Sequence, residues 1–157
     1  MSRPHLMLAL IATVLLSPAA AGATEPVPGG GGFTVTSTVV TSTRAADGNT
    51  FLTILVTSTL TGTLEGTTVG EETAVVHPNG LITVDTFETF TGTVNGSAGT
   101  AVFRVVGTAD AASGALSGQF IIVDGTGGLA NLRGLGTIEG VGDIGAYTVD
   151  IHFDPAP

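Results

Sequence analysis

At 157 residues, with a formal net charge of −9 and no cysteine, the chain has the length of one domain, without disulfides or thiol chemistry. Its cations are Arg3, Arg44, Arg104 and Arg133, with no lysine, so it lacks the clustered basic surface that nucleic acid or an anionic membrane surface requires. The absence of tryptophan and the single tyrosine, Tyr147, argue against stacking-based recognition of sugars or bases.

The chain opens on Arg3 and His5, followed by an apolar run from Leu6 to Leu16, a break at Ser17-Pro18, and Ala21-Gly22-Ala23. A basic start, a short apolar core and small residues where a signal peptidase reads predict a secretory signal peptide over residues 1–23, cleaved after Ala23. The apolar run falls short of the roughly 20 residues that span a bilayer. The expectation is therefore a secreted or cell-envelope protein with no integral membrane contact after cleavage. Its acidity serves solubility. Thr24–Gly32 (TEPVPGGGG) reads as a flexible Pro/Gly-rich lead-in, and residues 33–157 as the folded domain.

From Phe33 onward threonine, valine and glycine dominate, helical periodicity is absent and turn signals recur at short intervals, an all-β pattern. Extended segments are predicted at Phe33–Thr43, Thr50–Thr61, Thr67–His77, Leu81–Val94, Thr100–Ala109, Ala115–Val123, Asn131–Glu139 and Ala146–Phe153. Asp47-Gly48, Asn79-Gly80 and Asn95-Gly96 mark hairpins, because both central residues of a type I′ turn need positive φ. Faces alternate in the last segment, where Tyr147, Val149, Ile151 and Phe153 are apolar and Thr148, Asp150, His152 and Asp154 polar. Short sequential hairpins favour an eight-stranded antiparallel up-and-down barrel over a two-sheet sandwich.

The Asn95-Gly96 turn sets a register in which Val94 faces Ser97, Glu88 faces Phe103 and Arg104 faces Phe87. Glu88 then shares an apolar face with Ile82, Val84, Phe90, Val94, Ala101, Phe103 and Val105. A carboxyl there is costly unless it is paired, hydrogen-bonded or neutral, and burial raises its pKa. Glu88 is thus a candidate ligand anchor or general acid/base, with Val84, Phe90, Phe103 and Val105 as candidate ligand-binding walls. The alternatives are a carboxyl satisfied by backbone or by Arg133, or a slipped register that turns it outward. Arg104 lies on the wet face, diagonal to Asp85, as a surface ion pair.

Two stretches, FETFTGTVNGSAGTAVFRVVGTAD (Phe87–Asp110) and LSGQFIIVDGTGGLANLRGLGTIEG (Leu116–Gly140), resemble the DUF3224 family of bacterial proteins. In that family a Glu-bearing strand leads into a Gly-Thr hairpin, and a Gly-Thr-Gly-x-Leu-x-x-Leu-Arg-Gly motif follows. The resemblance implies eight antiparallel strands closed around a cavity, similar to allene oxide cyclase and dirigent barrels. It implies no particular activity, and no catalytic motif of those enzymes maps onto positions here.

The glycine-rich stretch Gly125–Gly136 holds five glycines in twelve residues. Gly125-x-Gly127-x-x-Ala130 after a strand approaches a dinucleotide fingerprint, but Gly134 and Gly136 interrupt the helix that fingerprint needs. A kinked connection at a barrel rim, tied down by Arg133, accounts for it better. Asp150, His152 and Asp154, with His77, Glu71 and Glu72 elsewhere, lack strict metal-ligand spacing and read as solvated positions. No catalytic triad, cofactor motif or metal site is expected. Three functions stay open: a barrel binding a small apolar molecule, a cyclase- or isomerase-like enzyme on a hydrophobic substrate with Glu88 as acid/base, and a packed interaction module.

Overall fold

A computed structural model describes residues 22–155, so the signal peptide read over residues 1–23 lies almost wholly outside the described residues. The described chain has no helix. Its strands are β1 (Val27–Ala46), β2 (Asn49–Gly62), β3 (Leu64–Val76), β4 (Leu81–Val94), β5 (Ser97–Asp110), β6 (Ala115–Gly127), β7 (Leu132–Val141) and β8 (Ile144–Phe153). Each pairs antiparallel with the next, and β8 returns to β1, closing the up-and-down barrel that the hairpin spacing predicts.

Turn chemistry fixes the register. Asp47 and Gly48, and Asn95 and Gly96, all have positive φ, as two-residue hairpins require. Asn79-Gly80 behaves differently, because only Gly80 has positive φ (84°). The turn spans His77 to Gly80, with the His77 amide donating to the Leu81 carbonyl at 2.8 Å and the Leu81 amide to Asn79 Oδ1 at 3.1 Å.

Residues Val27–Gly32 are not a loose lead-in. They pair with β8 from Val27–Ile151 to Gly32–Ala146, and the Phe153 amide donates to Thr24 Oγ1 at 2.8 Å. Two features explain this. Closing a barrel staggers its strands, so β1 must run long enough to pair with β8 at one end and β2 at the other. Glycine also lets this seam pack tightly, since a Cβ at Gly31 would come within 2.7 Å of the Tyr147 hydroxyl. That hydroxyl accepts from the Leu64 amide at 2.8 Å and donates to the Thr61 carbonyl at 3.0 Å, latching β8 across the barrel end to the β2–β3 connection.

The same end is filled. Leu64, Phe90, Leu129 and Leu132 are 0% exposed, with Val94 at 2%. Leu129, from the glycine-rich stretch, folds inward against Gly99, where a Cβ would sit 3.0 Å from Leu129 Cγ. An aromatic file then runs up the interior: Phe90 stacks on Phe103 at 5.4 Å, Phe103 lies 5.8 Å from Phe120, and Phe120 meets Tyr147 edge-on at 6.2 Å. Gly136, opposite Phe120 on β7, seats that ring, because a Cβ would overlap it. The motif glycines therefore serve packing as well as the rim turn. The one bulge in this region falls on β6 beside Val123.

Candidate functional site

At the opposite end, below the turns at 47–48, 77–80, 111–114 and 142–143, the interior is incompletely filled. A cavity of about 110 Å³ opens there, comparable to the roughly 150 Å³ that holds a benzene. Its walls are mainly apolar, with Phe103, Phe120, Val84, Val105 and Ile138 among them. The aromatic file forms its base.

The polar groups converge from three strands. Glu88 on β4 pairs with Phe103 on β5, as the Asn95-Gly96 register predicts, and its side chain enters the cavity. On its other side Glu88 faces Gly70 of β3, where a Cβ would come within 2.7 Å of Glu88 Cγ. Gly70 therefore leaves the space the carboxyl stem occupies. Glu72, two residues along β3, faces Thr86 and also enters the cavity. The two carboxyls are thus diagonal neighbours on one face of adjacent strands, a spacing long side chains bridge. Thr86 Oγ1 donates to Glu72 Oε2 at 3.2 Å. Ser58 on β2 and Thr68 on β3 complete the polar lining. Thr68 is 1% exposed, and its Oγ1 makes no hydrogen bond of full geometry to any described atom.

Both carboxyls are held above the ordinary glutamate range. Burial is the main cause for Glu88. The Thr68 hydroxyl beside it offsets part of the rise, and the negative charge of Glu72 adds to it. Burial also raises Glu72, against the hydrogen bond from Thr86. Among the described residues no cation compensates them. Arg104 grips Asp85 outside the barrel through Nε and Nη2 at 3.1 and 2.8 Å, the surface pair expected from sequence, and holds the Asp85 carboxyl below its usual range. Arg133 binds Asp154 at 2.9 Å and the Leu132 carbonyl at 2.9 Å, tying down the rim and not Glu88. Arg44 lies over the Phe51 ring.

Of the residues expected to bind ligand, Val84, Glu88, Phe103 and Val105 line the cavity together. Phe90 does not. It is fully buried beneath Phe103 as part of the packed end, because β4 descends past the aromatic file before reaching it. Sequence reasoning missed Glu72, Thr68, Thr86 and Ser58. Asp154 is engaged by Arg133 and by His152 at 3.4 Å, while His77 Nδ1 meets Asn49 Oδ1 at 2.9 Å. Among the described residues no three His, Cys, Asp or Glu side chains gather as metal ligands.

The fold and site define a class: a closed antiparallel barrel, plugged at one end, with an acidic cavity at the other. Residues 30–152 match the family described as "Protein of unknown function (DUF3224)", and the chain belongs to that family. A DUF3224 protein of unknown function from Shewanella oneidensis MR-1, solved at 1.84 Å, is 21% identical with a TM-score of 0.70. The alignment covers 83% of this chain and 100% of that one. A protein of unknown function from Clostridium acetobutylicum ATCC 824 is 10% identical with a TM-score of 0.50, over 85% and 99% of the two chains. At these identities the likeness is one of fold. No functionally curated protein matches the chain.

Proposed function

We propose that the barrel binds a small, largely apolar molecule in its one-ended cavity, with Glu88 anchoring the ligand's polar group. The observation that carries this reading is a carboxyl entering an apolar cavity with no cation among the described residues to pair with it. Few polar groups set in apolar walls are the usual composition of a small-molecule site. A compact alcohol such as 1-hexanol is expected to bind and to raise the melting temperature, since a ligand that binds only the folded state stabilises it. Glu88→Gln should weaken that binding by about 1 kcal/mol, the scale of one net hydrogen bond, since the amide can still pair with the hydroxyl. If no small apolar molecule shifts the melting temperature, the reading fails.

One observation favours a second reading, an enzyme with Glu88 as acid/base on a hydrophobic substrate. Two carboxyls on adjacent strands are both pushed up by burial, which brings them toward the range useful for proton transfer near neutrality. Activity on such a substrate would titrate with a raised carboxyl pKa and vanish in Glu88→Gln.

We also infer secretion, from the basic start, the Leu6–Leu16 run and the Ala21-Gly22-Ala23 site. Amino-terminal sequencing of protein recovered from the medium or cell envelope should begin at Thr24 or a close neighbour. Intact Met1 on membrane-held protein would refute it.

A further inference from the structure

Resting on the apolar-ligand reading, we propose that the ligand is an amine: a small apolar body carrying a primary ammonium, its –NH3+ seated between Glu72 and Glu88 with Thr68 as the third acceptor. Glu72 and Glu88 enter the cavity from β3 and β4 as diagonal neighbours. The arginines of the described chain all lie elsewhere: Arg104 on Asp85, Arg133 on Asp154 and Arg44 over Phe51. No lysine exists in the sequence. When both carboxyls are ionised, the cavity carries negative charge that no cation among the described residues compensates, and like charges on neighbouring side chains in an apolar setting repel. A ligand cation removes that repulsion. A carboxylate ligand would add to it.

The hydrogen-bonding inventory points the same way. A primary ammonium has three donors and no acceptor. The cavity offers a carboxylate oxygen from each of Glu72 and Glu88, and Thr68 Oγ1, which is 1% exposed, faces the cavity and has only the Glu88 carboxyl beside it, in no hydrogen bond of full geometry. A hydroxyl turned toward the Glu88 carboxylate keeps its own lone pairs free, so a donor arriving at that point finds a third acceptor. Thr86 Oγ1 is already committed to Glu72 and holds that carboxyl in place. The Tyr147 hydroxyl is committed to Leu64 and Thr61 at the plugged end, leaving it no role here.

A divalent cation fits less well. Calcium takes six to eight oxygen ligands and magnesium a near-ideal octahedron. Two carboxyls and scattered hydroxyls amid Phe103, Val84, Val105 and Phe120 do not supply that shell. The same apolar walls match the hydrocarbon part of an amine. A cavity of about 110 Å³, against roughly 150 Å³ for one that holds benzene, suits a body of about four carbons, with the rest of a longer chain leaving through the mouth.

Isothermal titration of the purified chain at pH 7.5 with hexylamine, 1-hexanol, hexanoate and calcium chloride separates the possibilities. Hexylamine is expected to bind at least tenfold more tightly than 1-hexanol, with hexanoate weaker than both. Glu88→Gln and Glu72→Gln should each reduce hexylamine affinity at least tenfold while changing 1-hexanol affinity less. The double variant should bind the amine and the alcohol alike. Equal affinity for hexylamine and 1-hexanol in the wild type would overturn the amine assignment and leave the apolar cavity standing. Binding of neither would overturn both. Preferred binding of hexanoate, or calcium binding lost in the Glu variants, would also overturn the assignment.

Discussion

Phe90→Ala is expected to lower the unfolding free energy by about 3–5 kcal/mol, the cost of emptying a fully buried phenylalanine site. The ring is 0% exposed and lies among Leu64, Val94, Leu129 and Leu132 at the plugged end. It also stacks on Phe103 at 5.4 Å. Neighbouring strands are held by continuous ladders on both sides of β4, so the backbone has little freedom to collapse into the void. The loss should appear in the urea midpoint with an unchanged slope. It separates two roles sequence alone cannot part. A cavity-wall residue would give a smaller loss, because a side chain facing an existing void has fewer contacts to forfeit. A cost below 1 kcal/mol would return Phe90 to the cavity.

The barrel itself was legible because its determinants are local. Asp47-Gly48 and Asn95-Gly96 specify two-residue turns through backbone conformation alone, and the second fixed Glu88 against Phe103 before any tertiary information entered. Glu72 was illegible for the same reason in reverse. A two-residue turn at Asn79-Gly80 would set Glu71 opposite Glu88 and turn Glu71 inward. The observed turn extends from His77 to Gly80 and shifts the register by one, so Glu72 faces Thr86 and Glu71 faces Phe87 on the outside. Neither face of β3 announces itself, because Thr68, Gly70, Glu72 and Ala74 on one side are no more apolar than Val69, Glu71, Thr73 and Val75 on the other. The glycines before Phe33 misled by composition. A Gly-rich run signals a linker when nothing pairs with it, but here β8 supplies the partner, and that is knowable only once the barrel closes. The partial packing that leaves a cavity is likewise a property of the whole ring of side chains.

The ligand-free protein is expected to lose stability as pH rises above the ordinary glutamate value of 4.5, contrary to the usual carboxylate behaviour. Glu72 and Glu88 have folded pKa values raised by burial, and for Glu88 also by the charge of Glu72. Between the unfolded value and the raised folded values, the native state binds more protons than the unfolded chain. Stability from these groups is therefore fully present below 4.5 and lost as pH climbs through the folded values. Each unit of elevation contributes about 1.4 kcal/mol to that loss, and the pair titrates as a coupled unit. Asp85, held low by Arg104, works in the opposite sense. Its contribution is present above 3.8 and lost as pH falls below it, though so exposed an ion pair is worth little. Asp110, lowered by hydrogen bonds from Ser113, has the same sign. From the two cavity carboxyls, stability should thus be greater near pH 4.5 than at pH 7.5. Of the other groups facing the cavity, only Tyr147 titrates, and burial moves it further above 10.0, outside this window. Glu88→Gln removes one charge of the pair, so its melting temperature should exceed the wild type's at pH 7.5 and match it near pH 4.5. Hexylamine should reverse that order at pH 7.5, since the ammonium stabilises the paired carboxylates only in the wild type. A Glu88→Gln melting curve that tracks the wild type from pH 4.5 to 8 would show that Glu88 is solvated in the folded state, and the anchor assigned to it would have to move to Glu72.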